Sequence, residues 1–184
     1  MKRHLAALVA GALLAVAVVF AVTPGSWQHY RFLTDRYDFN AEFDEVAASL
    51  RQFSGLMATF YMTGGPTEEL NAFPAEKMLK RRIFIDISSM IRQGVILVTD
   101  RDATVYREIA FLDPRHAVAV TDEDWYLAYQ TAVGRRPLST KKLNQVTVRY
   151  YLKKQWGRWI VLDYDVFGQG DTLPSVPAEK IVRW

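Results

Sequence analysis

The sequence predicts an α+β protein in which an N-terminal transmembrane helix precedes helices packed on an antiparallel sheet of about four strands. Two patterns carry this prediction. Apolar residues recur at spacings of three and four over residues 43–60, as on one face of a helix. Residues 146–167 instead alternate with period two on both sides of Trp156-Gly157, as in a β-hairpin. Helical patterns precede strand patterns along the chain, which favours helices stacked on one face of an antiparallel sheet.

The N-terminal stretch indicates where the domain is located. Lys2 and Arg3 precede an uncharged run from Leu5 to Val22, which is long enough to span a membrane. Residues 1–26 are therefore predicted to be an anchor or uncleaved signal, with a single pass through the cytoplasmic membrane and a cytoplasmic N-terminus. Small residues around Phe20 also allow cleavage, which would leave a secreted or periplasmic protein. Both alternatives place the domain outside the cytoplasm.

Residues 27–40 are predicted to be a juxtamembrane linker, and residues 41–167 the α+β domain. Its first helix starts near Ala41 and ends at Gly64-Gly65-Pro66. A short helix follows at 67–73, and a third helix covers 75–93. Residues 168–184 are predicted to be a loosely ordered tail because they combine glycines with prolines.

The strand half is predicted from alternation and turn residues. A short apolar segment at 95–98 is expected to lead into a turn at Thr99-Asp100-Arg101-Asp102, followed by a strand at 103–112. A strand at 116–130 is expected to bend at the acidic Thr121-Asp122-Glu123-Asp124, and a basic connection at 134–142 leads to the hairpin. In the first arm of the hairpin, Val146, Val148, Tyr150 and Leu152 form the buried face, and Thr147, Arg149, Tyr151 and Lys153 the wetter one. In the second arm, Ile160, Leu162, Tyr164 and Val166 share one face, and Trp159, Val161, Asp163, Asp165 and Phe167 the other.

Composition excludes several kinds of chemistry. The chain has no cysteine, so disulfides, thiolate metal sites and a cysteine nucleophile are excluded, and its three histidines are scattered. Asp100-Arg101-Asp102 resembles the start of a calcium loop but lacks the glycine and glutamate that follow in such loops. We therefore predict no metal and no cofactor. The net charge of +3 is interspersed, so no nucleic-acid partner is expected.

The element order, together with the closing pattern Gly157-Arg158-Trp159-Ile160-Val161-Leu162-Asp163-Tyr164, resembles the nuclear-transport-factor-2-like superfamily over residues 41–167. That resemblance implies a cone-like fold in which a strongly curved sheet wraps a long helix. An anchor followed by such a domain is also similar to inner-membrane scaffold subunits of type IV secretion systems and to transporter-associated membrane proteins of actinobacteria.

Members of this superfamily that are isomerases or dehydratases place Asp or His inside the cone. We identify no catalytic constellation in the sequence. The residues that could serve such a role are Asp163, Asp165 and His116, with Asp86, Asp122 and Asp124 also considered. Five aromatic residues are candidates for a pocket or an interface, with packing in the core as the alternative: Trp125, Tyr129, Tyr150, Trp159 and Tyr164.

These observations favour a membrane-anchored, extracytoplasmic binding or scaffold domain in a bacterial envelope assembly, with a protein partner and with homo-oligomerisation left open. The alternative is a binder of a small hydrophobic ligand, or an isomerase-like enzyme, that uses the cone pocket. A third alternative is binding of anionic lipid or nucleic acid through the basic residues Arg135, Arg136, Lys141, Lys142, Lys153 and Lys154.

Overall fold

The computed structural model describes residues 38–65 and 71–176, and the elements below form a compact unit that begins at Asn40. Two helices, α1 (Phe39–Thr63) and α2 (Lys77–Arg92), precede four strands: β1 (Val95–Asp113), β2 (His116–Thr131), β3 (Lys142–Gln155) and β4 (Arg158–Gly168). The helices pack on a curved antiparallel sheet of order β1-β2-β3-β4. The predicted α+β layout with a four-stranded antiparallel sheet is therefore confirmed.

Several predicted segments lie outside the described residues. They are the membrane span from Leu5 to Val22, the linker up to residue 37, most of the short helix at 67–73, and residues 177–184. Within the described ranges, no helix combines the length and the apolar character that crossing a membrane requires.

Helix α1 buries most of the stripe predicted from its spacing, although Phe43 at its start is exposed. Val46, Leu50, Phe53 and Phe60 are almost completely buried and face the sheet. The helix ends at Thr63, and Gly64 then adopts a positive φ of 94° while its N–H donates to the carbonyl of Phe60 at 2.9 Å. Glycine is favoured at this position because a Cβ is strained at positive φ.

Helix α2 begins two residues later than predicted, because Ala75 belongs to the sheet. The N–H of Glu76 donates to the carbonyl of Val161, and the N–H of Val161 donates to the carbonyl of Pro74, each at 2.8 Å. Residues 74–76 thus form a short parallel bridge with the edge of β4. The Glu76 side chain then caps the helix by accepting from the N–H of Met78.

The predicted turn at 99–102 is wrong, because β1 runs without a break through these residues. Thr99 is buried, and a register shift between Arg101 and Ala103 takes up the extra residue Asp102 as a β-bulge. Two further register shifts follow in the same strand. Polar residues here mark bulges in a long, curved edge strand.

The predicted bend at 121–124 is also wrong. Strand β2 pairs with β3 in one unbroken register from His116 to Leu127. Thr121 and Glu123 are buried, while Asp122 forms an ion pair with Arg107 on β1. These polar residues satisfy one another inside the sheet, so they do not interrupt the strand.

The predicted faces of β4 change at a β-bulge. The register between β3 and β4 shifts after the pair Tyr151–Asp163, so that Leu152 pairs with Val161 and Leu162 is the extra residue. Trp159 and Val161 consequently lie in the core together with Tyr164, instead of sharing a face with Asp163. The extra residue at Leu162 inverts the alternation within the strand.

The face of β3 predicted to be wetter is buried in its central part. Thr147, Arg149 and Tyr151 are all buried. The Arg149 guanidinium lies 5.5 Å from the Phe167 ring and donates from Nη2 to the carbonyl of Pro174 at 2.6 Å. The segment around Pro174 is therefore fixed to the side of the sheet away from α1.

A charged cluster, the Lys154 cluster, joins the start of α1 to the hairpin. Lys154 Nζ donates to Glu42 at 2.7 and 2.8 Å and to Glu45 at 2.8 Å, and Trp159 Nε1 donates to Glu42 at 2.8 Å. Burial acts to lower the pKa of Lys154, but the hydrogen bonds and charges of the two glutamates outweigh it and raise that pKa. The cluster thus fixes α1 to one end of the sheet.

We predict that Lys154→Met lowers the free energy of unfolding by about 2 kcal/mol, because it leaves the mostly buried Glu42 without its cation. Lys141→Met is the matched control: its ion pair with Asp100 spans 3.6 Å between exposed side chains, so the expected loss is below about 0.5 kcal/mol. Urea denaturation of both variants at pH 7 measures the difference. Equal losses would show that the Lys154 cluster adds no more stability than a surface pair.

Candidate functional site

An open cleft of about 210 Å³ lies between α1 and the sheet, at the end opposite the β3–β4 turn. We call this end of the domain the cleft end and the other the hairpin end. The second half of α1 forms one wall and all four strands the other. The lining is mostly apolar: Met57, Ala58, Tyr61, Leu97, Thr99, Glu123, Trp125, Leu127, Asn144, Val146, Val148, Tyr150, Tyr164 and Val166.

Glu123 is the acidic residue in this lining, and its side chain is only 2% exposed. Its Oε1 accepts from the hydroxyls of Thr121 and Tyr150, both at 2.9 Å. Its Oε2 accepts from Nε1 of Trp125 at 2.7 Å. Three donors from two strands therefore fix the carboxylate, as a buried charge requires.

The strand period explains how these groups meet. Thr121, Glu123 and Trp125 are two residues apart on β2, so their side chains point to the same face of the sheet. Tyr150 reaches them from β3, where Thr121 pairs with Val148 and Glu123 with Val146. The sequence interpretation missed Glu123 because it assigned the acidic run to a bend. Glu123 alternates with Trp125 and Leu127 and so lies on the same face of the strand, and this pattern could have identified it.

Burial keeps the phenols of the cleft protonated. It raises the pKa of Tyr150 well above the ordinary value, and the charge and hydrogen bond of Glu123 add to that effect. Burial, together with the charges of Tyr164 and Asp86, raises the pKa of Tyr61 to about 12. Both residues are therefore neutral hydrogen-bonding groups at physiological pH.

The residues considered for catalysis are not brought together. Asp163 forms an ion pair with Arg82 of α2 at 2.9 Å, and Asp165 accepts from the Tyr151 hydroxyl at 2.7 Å. His116 Nδ1 lies 2.7 Å from Oδ2 of Asp113, at the hairpin end. None of the three lines the cleft. Asp122 bonds Arg107 and Thr147, Asp124 accepts from Gln145, and Asp86 is exposed.

The five aromatic candidates lie in three different environments. Trp125, Tyr150 and Tyr164 line the cleft, and Tyr129 lies exposed further along β2. Trp159 belongs to the core and bonds Glu42 at the hairpin end. Three of the five candidates therefore surround one cavity.

The basic residues of the third alternative lie at opposite ends of the domain. Arg135 donates to the carbonyl of Met62 at the cleft end, whereas Lys154 belongs to the cluster at the hairpin end. Lys142 and Lys154 are separated by most of β3, or about 40 Å at the rise of a strand. These charges do not form one continuous patch. In the described part of the chain, no group of three or more potential metal-binding side chains occurs.

We predict that Glu123→Ala lowers the free energy of unfolding by about 2–3 kcal/mol, because three buried donors lose their acceptor. Glu123→Gln is the control. Its amide oxygen still accepts and its amide nitrogen can donate to a hydroxyl, so the expected loss is about 1 kcal/mol. Guanidinium denaturation gives both values. If the two substitutions cost the same, the hydrogen bonds are not what stabilises this site.

The raised phenol pKa of Tyr61 predicts alkaline instability. The folded pKa of about 12 exceeds the ordinary value of 10.0, so this contribution is complete below pH 10 and is lost as the pH rises toward 12. Tyr61→Phe removes the titrating group, and its stability should therefore fall less between pH 10 and 11.5. Urea denaturation across that range tests this, with Tyr129→Phe at an exposed position as the control. Parallel pH profiles for the wild type and Tyr61→Phe would contradict it.

No family model matches the chain, and no curated protein matches it in sequence. Among solved structures, it is similar to the crystal structure of the intermembrane space region of the chloroplast protein ARC6. The TM-score is 0.58 at 9% sequence identity, and the match covers 67% of this chain and 94% of that one. At this identity the likeness shows that the two share a fold.

Proposed function

We propose that this protein is a membrane-anchored, extracytoplasmic binding domain of a bacterial envelope assembly, and that its cleft holds an apolar side chain of a protein partner. The observation that carries the proposal is the cleft itself. It is open, mostly apolar and lined by α1 and all four strands, with exposed Leu143 and Val166 at the same end of the sheet. Exposed apolar surface around a pocket is typical of a binding site.

The size of the cleft favours a side chain over a free small molecule. Ligand pockets for small molecules usually measure about 300–1,000 Å³, whereas this cleft has about 210 Å³. A large anchor residue from a partner commonly fills a pocket of this kind at the centre of an interface. Glu123 holds Trp125 and Tyr150, two aromatic side chains of the lining, in place.

The extracytoplasmic location and the superfamily are part of the same proposal. The uncharged run from Leu5 to Val22 supports a membrane anchor, and the two helices on a curved four-stranded sheet support a place in the nuclear-transport-factor-2-like superfamily. The shared fold with a region of ARC6 that lies in an intermembrane space is compatible with an extracytoplasmic domain.

A second candidate function is a small-ligand binder or isomerase-like enzyme. The observation that favours it is the buried carboxylate of Glu123, with the Tyr150 hydroxyl beside it in an apolar cleft. Acid–base chemistry needs such a carboxyl to reach a substrate. The three donors on Glu123 instead favour a fixed structural acceptor.

A photo-crosslinking amino acid at Val166, which lines the cleft and is 55% exposed, tests the proposal in native membranes. We expect an adduct with one partner protein. Val105 on β1 is the matched control, because it is 60% exposed in a strand but does not line the cleft. Leu127→Gln, a second cleft position, should reduce the yield from Val166 about fivefold by lowering the apolar area of the lining.

Other outcomes assign the site differently. An adduct of twice the mass of the chain would make the occupant a second copy. A small molecule retained by the purified protein and detected by native mass spectrometry, without any protein adduct, would support the second candidate. Equal adducts from Val166 and Val105 would contradict a specific site at the cleft.

A further inference from the structure

Helix α2 carries apolar side chains on its outer face as well as on its inner one. The inner stripe is buried in the core, as an amphipathic helix requires, and consists of Leu79, Ile83 and Ile87. On the solvent side, Met78 is 66% exposed, Ile85 51% and Phe84 40%. Single exposed apolar residues are ordinary, but three on one side of a short helix indicate a contact outside the domain.

These side chains follow one side of the helix. A row of residues at alternating spacings of three and four runs along the axis and consists of Met78, Arg81, Ile85, Ser88 and Arg92. Lys77 and Phe84 border this row, because they lie four residues before and three residues after Arg81. We call these residues together the outer face of α2. The outer face therefore interleaves cations with apolar side chains.

The outer face is positively charged. Lys77, Arg81 and Arg92 are exposed, and none of them forms an ion pair within residues 38–65 and 71–176. The only acid of α2, Asp86, lies on another side of the helix, near Tyr61, whose pKa its charge helps to raise. A surface that binds the outer face must therefore supply negative charge.

We propose that the outer face of α2 binds a bilayer surface that contains anionic phospholipid. The lysine and arginine head groups meet the lipid phosphates, while Met78, Ile85 and Phe84 reach the boundary with the acyl chains. Each cation held near such a surface adds to the attraction. The helix lies parallel to the bilayer plane, because the row extends from its first turn to its last.

The order of residues favours lipid over an acidic protein partner. Protein interfaces concentrate apolar residues at their centre, where charged residues are depleted, and place polar residues at the rim. On the outer face the order is different, because Arg81 lies at the centre, between Met78 and Ile85 on one side and Phe84 on the other. A bilayer surface suits this order, since phosphates and acyl chains are available at every point of its plane.

The absence of cysteine makes a direct test simple. Ser88→Cys, in the outer face, provides a unique site for an environment-sensitive fluorophore in the full-length chain. Detergent removal combines the labelled chain with vesicles made from equal parts of brominated phosphatidylcholine and phosphatidylglycerol. We expect quenching about threefold stronger at position 88 than in Val105→Cys, because insertion brings only the outer face close to the lipid.

Val105 is the matched control for position. It is 60% exposed and lies next to Tyr106, whose hydroxyl donates to the carbonyl of Ala47 on α1. Because neighbouring residues of a strand point to opposite faces, Val105 points to the side of the sheet away from the helices.

Variation of the lipid and of the cations tests whether charge is recognised. In vesicles of brominated phosphatidylcholine alone, we expect the quenching at position 88 to fall to the level of position 105. Arg81→Gln and Arg92→Gln should each lower the ratio of surface-bound to unbound domain about fivefold in the anionic vesicles. Arg51→Gln is the matched control, since it removes an exposed arginine from α1 and should leave that ratio unchanged.

Three results would overturn the proposal. The first is equal quenching at positions 88 and 105 in the anionic vesicles. The second is quenching that is the same with and without phosphatidylglycerol, or that Arg81→Gln and Arg51→Gln change equally. The third is a photo-crosslink from position 88 to a protein in native membranes without quenching in vesicles, which would assign the outer face to a protein partner.

The inference goes beyond the proposed function, because neither the cleft nor the N-terminal anchor takes part in this contact. The two are tested by different measurements. Loss of quenching at position 88 leaves the crosslink from Val166 in the cleft unaffected, and loss of that crosslink leaves the quenching unaffected.

Discussion

The carboxylate of Glu123 is the polar group on which the cleft end depends. It is buried in an apolar cavity, where an unpaired charge would cost several kcal/mol, and it is tolerated because three donors surround it. Those donors come from β2 and β3, so one side chain fixes the relative position of the two central strands. The same bonds orient Trp125 and Tyr150, which form much of the wall. The shape of the cleft thus follows from satisfying one buried charge.

The two ends of the domain are held by different interactions. At the hairpin end, the Lys154 cluster joins α1 to the hairpin through ion pairs and the indole of Trp159. At the cleft end, α1 meets the β2–β3 loop through the bond from Arg135 to Met62, and the cavity remains open. Ion pairs therefore hold α1 at the hairpin end, while apolar surface remains uncovered in the cleft at the other end.

The helices and the hairpin could be predicted from the sequence, because both depend on local periodicity. The apolar stripe of α1 and the turn at Trp156-Gly157 are properties of short segments that tertiary contacts did not override. The bulge at Leu162 was not predictable in this way, since one inserted residue leaves the composition of the strand unchanged and inverts its faces. Glu123 was missed for a related reason. From sequence alone, an acidic residue is expected to be exposed unless its hydrogen-bond partners are known. Its partner Tyr150 is distant in the chain, so the sequence does not show that the two residues meet.

Both edge strands of the sheet, β1 and β4, are partly blocked against pairing with a strand of another copy. Open strand edges can pair with those of neighbouring copies and seed aggregation. Residues 74–76 occupy the edge of β4 at Val161, and three register shifts distort β1 along its length. A distorted edge cannot present a straight row of hydrogen-bonding groups to a second strand. The bulges that curve the sheet around the cleft therefore also protect the protein against edge-to-edge association.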